Sequence, residues 1–245
     1  SSVSCIYGLG SPIEYKNKLI PIIKGEDFDI EELLIKLVKQ QYVRNDLVVD
    51  RGNFRLKGDT LDIFPVYEET IFRIEFFGDE IEKISRIDPI TGEIIEKLTE
   101  LAILPASHYV ISDESRKNAL KEIENDMVTQ VAKFKSENKL LEAQRIEQRT
   151  KYDLEMLTEL GVCSGIENYS RYFDGRNPGE PPFTLLDFFP DDFLMVVDES
   201  HIAIPQIRGQ YEGDKSRKST LVDYGFRLPS ALDNRPLKFN EWKDR

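Results

Sequence analysis

The sequence predicts a chain of mixed α/β and α+β character: an antiparallel-sheet module inserted into part of an α/β domain that also carries a helical subdomain. Three observations support this. The hydrophobic period is two between about residues 48 and 105 and 3.6 between 112 and 161, and an apolar run at 193–197 ends on paired carboxylates.

Taken in order, "SVSCIYGLGSP" predicts a short buried strand (Val3, Cys5, Ile6) entering a Gly8/Gly10 loop. "FDIEELLIKLVKQQY" predicts an amphipathic helix. Asp29 is its N-cap with Glu32 three residues on, and Ile30, Leu33, Leu34, Leu37 and Val38 share one face. In "RGNFRLKGD", Phe54 and Leu56 point one way while Asn53, Arg55 and Lys57 point the other. "TIFRIEFFGDEIEKISRID" sets Phe72, Ile74 and Phe76 against Arg73 and Glu75, with Gly78-Asp79 as a type II′ hairpin turn. "DPITGE" is a further turn, and "IIEKLTELAILP" one or two more strands. These elements make a compact α+β unit over residues 18–104.

Residues 112–161 read as helical. Leu120, Ile123, Met127, Val131 and Phe134 form one stripe, and Leu140, Leu141, Tyr152, Met156, Leu157 and Leu160 a less regular one that Gly161 stops. "DGRNPGEPPFT" is a rigid loop because of Pro178, Pro181 and Pro182, and "LLDFFPDDFLMVVDESH" returns to buried-strand composition. Residues 1–17 and 105–245 flank that unit, with helical content at about 110–180, as they would if the unit were inserted within another domain.

Composition narrows the function. No apolar run approaches the ~20 residues that cross a bilayer. Two cysteines, Cys5 and Cys163, fit a reducing cytoplasm, and with His108 and His201 the only histidines a Cys/His zinc site is not expected. A net charge of −12 excludes wrapping nucleic acid by bulk electrostatics.

The chemistry sits at "DFLMVVDESH". In phosphate-loop ATPases a strand ends in an Asp that helps hold Mg²⁺ and a Glu that orients or deprotonates the attacking water. Asp198 and Glu199 hold those positions, and His201 completes the motif; the bland alternative is a surface turn. An acid/base hydrolase built on the pair alone is disfavoured, because adjacent strand residues point to opposite faces. The sequence contains no Gly-Lys dipeptide, so it has no G-x-x-x-x-G-K-[ST] phosphate loop. The chain as given is expected neither to bind ATP tightly nor to hydrolyse it.

The blocks "VSCIYGLGSP", "RGNFRLKGDTLDIFP", "RIEFFGDEIEKISRIDPITGE", "ENYSRYFDGRNPGEPPFTLLDFFPDDFLMVVDESH" and "TLVDYGFRLPSALDNRPLKF" closely resemble the UvrB family of the bacterial UvrABC excinuclease. The resemblance covers essentially all 245 residues. It implies an internal fragment of a RecA-like helicase motor: the phosphate loop and a DNA-clamping hairpin before "VSCIYGLG", the second motor domain after "RPLKF". It implies that the inserted module recruits UvrA, and that full-length relatives verify damaged DNA with ATP and Mg²⁺ and recruit UvrC. No cofactor is expected on the fragment itself.

Residue by residue, Asp198 falls on the family's Mg²⁺ position, Glu199 on its water-activating position, and His201 completes it. Arg55, Arg73 and Glu75 match charged strand positions used to bind UvrA, while Lys57 stands where Arg is usual and loses its bidentate fork. On the residues alone these four charges would be an ordinary wet sheet face. The alternative is the UvrA-binding module of a transcription-repair coupling factor, against which the intact "VVDESH" argues.

Overall fold

In a computed structural model, residues 2–47, 50–107, 109 and 113–245 are described. Val48, His108 and Ser112 lie outside them. The chain divides into two compact units, Ile13–Val110 and Ser1–Pro12 with Ile111–Arg245.

The first runs through α1 (Pro12–Lys18), β1 (Ile20–Ile23), α2 (Ile30–Lys39), β2 (Val43–Arg44), β3 (Asn53–Lys57), β4 (Thr60–Phe64), β5 (Ile71–Phe77), β6 (Glu80–Ile87), β7 (Ile94–Leu98) and β8 (Glu100–Ile103). Strands β2 to β7 form one six-stranded sheet in sequence order, and β1 pairs with β8 apart from it. The sheet is mixed rather than purely antiparallel, because β2 joins β3 in parallel. The hairpin turn between β5 and β6 pairs Phe77 with Glu80, and Gly78 takes the positive φ (+63°) that a type II′ turn requires of its first residue.

One sheet face is the core of this unit. Phe54, Leu61, Ile63, Ile74, Phe76 and Ile84 pack with Leu33 and Leu37 of α2 and with Ile20, Ile22 and Ile103. Asp29 caps α2 as expected, accepting from the amides of Glu31 and Glu32. Val38, assigned to the buried face, is exposed, because the stripe closes on Leu33 and Leu37 a turn apart.

The second unit holds α3 (Asp113–Ser136), α4 (Leu140–Glu159), α5 (Ser170–Phe173), α6 (Ser200–Asp223) and α7 (Phe239–Lys243). The α3 stripe is buried at Ile123, Met127, Val131 and Phe134. The α4 stripe is not the expected one. Leu140, Leu141, Tyr152 and Leu160 are exposed, while Ala143, Ile146, Thr150, Asp153 and Leu157 are buried at alternating steps of three and four. Asp153 tolerates burial because Tyr169 Oη (2.8 Å) and Arg149 Nε (3.0 Å) donate to its carboxylate. Periodicity that counts only apolar residues misses such a stripe.

Two stretches expected to be strand are corrected. Val3–Ile6 and Leu185–Phe188 are 3₁₀ turns. Residues 193–197 have no regular secondary structure, with Phe193, Met195 and Val197 half-buried and Leu194 and Val196 88% and 81% exposed. The alternation of a strand survives there, but among the described residues none pairs with it, and a strand exists only through its ladder.

Ion pairs tie down the Pro-rich loop. Arg171 donates to Asp233 (2.9 Å) and Asp126 (2.7 Å), the amide of Gly179 donates to Asp233 (2.7 Å), and Arg235 holds Glu241 with both Nη atoms (2.7 and 2.8 Å). At the end of α6, Gly225 has φ +71°, and a Cβ there would lie 2.4 Å from the carbonyl oxygen of Glu142. Gly225→Ala is expected to cost roughly 3 kcal/mol, from a strained φ plus a backbone clash. Urea unfolding followed by circular dichroism checks it.

Candidate functional site

The face of the six-stranded sheet opposite α2 carries the charge. The turn between β3 and β4 sets Lys57 opposite Thr60, so Arg55 falls opposite Asp62. Continuing across, Asp62 faces Arg73, Arg73 faces Ser85, and Ser85 faces Lys97. Opposite residues of a ladder project from the same face. One row therefore reads Arg55, Asp62, Arg73, Ser85, Lys97 across five strands. The adjoining row reads Lys57, Thr60, Glu75, Lys83.

Asp62 is 3% exposed. Arg73 donates to it through Nε (2.7 Å) and Nη2 (3.0 Å), and Arg55 through Nη2 (2.6 Å). Burial alone would push the Asp62 carboxyl up; the hydrogen bonds and charge of Arg73 and Arg55 overcome that and hold it below its ordinary value. The hydrogen bond to Asp62 raises Arg73 in turn. The two arginine side chains retain 21% and 28% of their exposure. Glu75 is paired with the exposed Lys83 (3.1 Å), which its hydrogen bond raises. Lys57 is exposed, with no carboxylate partner among the described ion pairs.

The four sequence-derived residues Arg55, Lys57, Arg73 and Glu75 thus share one face. Its two rows carry five cations (Arg55, Lys57, Arg73, Lys83, Lys97) to two carboxylates, with Glu82 also 3.6 Å from Lys83, in a chain of net charge −12. Beside it lies an open concavity of about 570 Å³, lined in part by Lys24, Glu75, Lys83 and Lys97. Asp62, Lys83 and Lys97 escaped the reading of motifs. For Asp62 the signal was present: once Gly58-Asp59 is read as a hairpin turn, position 62 must meet position 55.

Residues 20–109 match the family model described as the UvrB interaction domain, and residues 114–175 the UvrB third helical domain. The chain belongs to the UvrB family. It is 58% identical over all of its residues to UvrABC system protein B of Streptomyces coelicolor, covering 34% of that protein. The same protein of Dehalococcoides mccartyi is 56% identical, with 37% covered. The chain therefore spans about a third of the length of these curated relatives. The interaction-domain match coincides with the unit bearing the charged face, and the helical-domain match with α3, α4 and α5.

Asp198, Glu199 and His201 lie together at the start of α6, all exposed. Asp198 accepts from the amide of Glu199, which sits in the left-handed region (φ +47°), and His201 Nδ1 is 3.3 Å from Glu199. An exposed carboxylate such as that of Asp198 is the kind of ligand that could hold a Mg²⁺ brought by a nucleotide. Among the described residues no group of three acidic, Cys or His side chains converges on a metal position, and no helix is long and apolar enough to cross a membrane.

The lowered pKa of Asp62 has a defined sign. Its contribution is fully present above the unfolded carboxyl value of about 3.9 and is lost as pH falls through the folded value. Asp62→Asn is therefore expected to destabilise the chain at pH 7, with the gap from wild type closing below about pH 4. Urea midpoints of both proteins at pH 7 and pH 3 check this.

Proposed function

We propose that the unit over 13–110 is a docking module for UvrA, within a UvrB-type protein of nucleotide excision repair. The observation that carries this reading is that the UvrB interaction-domain match falls on the sheet whose outer face is net positive and ordered into rows. A face of that kind suits a partner presenting carboxylates, with charge setting encounter rate and register. In the full-length protein, damaged DNA and UvrC are the further partners, and ATP with Mg²⁺ the motor's fuel. The remaining residues are read as a partial first motor domain with its helical subdomain, in which Asp198, Glu199 and His201 take the Mg²⁺-holding, water-orienting and sensing positions. The unpaired, alternating segment 193–197 leading to Asp198 supports that reading.

The test is a titration of the chain against UvrA at rising salt. Binding is expected to weaken steeply with ionic strength. Charge reversal at Arg73 is a poor probe, because it would set a second carboxylate against buried Asp62 and confound docking with folding. Lys57→Glu avoids this: affinity is expected to fall about tenfold with the melting curve unchanged. Undiminished affinity would remove this face from the docking surface. The same sample is expected to show no ATP turnover above background.

A further inference from the structure

Asp62 lies inside the docking face but too deep to meet a partner, its side chain being 4% exposed. We propose that Asp62 is a positioning residue for partner recognition: an internal template that holds the guanidinium groups of Arg55 and Arg73 in one row, so that their outward N–H groups meet a partner's carboxylates already in place. This rests on the docking reading above and adds to it the device that orders the face.

Three features point to this role. Arg55 and Arg73 stand on β3 and β5, the two strands flanking β4, so their backbones are about 10 Å apart. Two like charges at that spacing, on long side chains, would splay away from each other into solvent. Asp62 stands opposite both and draws them together. Second, Arg73 engages through Nε and Nη2 at once, a two-bond fork that fixes the plane of the group as well as its position. Third, neither arginine is used up. Arg73 retains Nη1 and the second proton of Nη2, and Arg55 retains Nη1, since each guanidinium has five N–H donors. Side chains frozen before encounter are not frozen at the expense of affinity during it.

The role separates from two simpler ones by its kinetics. Asp62 carries a negative charge on a face inferred to attract an acidic partner, so removing that charge should leave association unchanged or faster. Loss of the template should appear in dissociation, where misoriented arginines no longer hold their acceptors. A residue that only supports the fold would lower the folded fraction without altering either rate constant of the molecules that remain folded.

Stopped-flow or surface-based kinetics of the whole chain against UvrA distinguish these. For Asp62→Asn, koff is expected to rise about tenfold, with kon equal to or above wild type. Unaltered koff in the folded variant, or a fall in kon alone, overturns the template. Should near-ultraviolet circular dichroism show Asp62→Asn unfolded, Arg55→Lys carries the test, since it keeps the charge but not the planar group. Its koff is expected to rise several-fold at constant kon; unchanged koff overturns the proposal. Failure of the wild-type chain to bind UvrA at low salt sinks the docking reading and the template with it, whereas wild-type binding with unaltered koff in the variant sinks the template alone.

Discussion

A carboxylate removed from water must be met by cations or hydrogen-bond donors, or it will not stay charged. Asp62 imposes that condition on the centre of the six-stranded sheet. Its burial is tolerable because Arg55 and Arg73 reach it from the two neighbouring strands, and the register of β3, β4 and β5 brings them there. A slip of one residue in either pairing would turn that strand's arginine into the apolar core and leave Asp62 with a single partner. The charged face and the hydrophobic face therefore specify the same register from opposite sides.

The second unit answers the same problem with a different topology. Arg171 joins Asp126 and Asp233, both distant in sequence, and Arg235 reaches the carbonyl of Gly179, while Asp214 with Lys218 and Arg235 with Glu241 are local pairs. The blocks "SRYFDGRNPGEPP" and "LPSALDNRPLKF" supply Arg171, Asp233 and Arg235. Their distinctive composition is thus explained by the scaffold: a Pro-rich loop cannot satisfy its own backbone through a helix or ladder, so arginine side chains and Asp233 do it instead. The acidic motif at the head of α6 stands apart from this network, with side chains open to solvent.

The two functional readings consequently rest on different grounds. The charged face is complete within one unit: the strands that carry it, the core beneath it and the ion pairs that order it all lie between residues 13 and 110. Asp198, Glu199 and His201 stand in the order of the proposed motor motif, and a carboxylate pair of that kind acts on a nucleotide held by a facing phosphate loop.

How much was legible in advance follows the range of the forces involved. Helix α2 with its Asp29 cap, the Gly78-Asp79 hairpin, the α3 stripe and the alternation that put Arg55, Lys57, Arg73 and Glu75 on one face are local patterns, and sequence alone determined them. Where the outcome depended on a partner distant in sequence, sequence reading failed. Residues 193–197 carry a strand's composition yet remain unpaired, Val3–Ile6 winds into a 3₁₀ turn, and α4 buries Thr150 and Asp153 while exposing Leu140 and Leu141. Asp62 lies between these cases, because its facing residue followed from a turn but its burial and its second arginine did not. Only the assembled sheet decided that, since hydrogen-bonded registers across three strands, and the desolvation they impose, belong to no single stretch of chain.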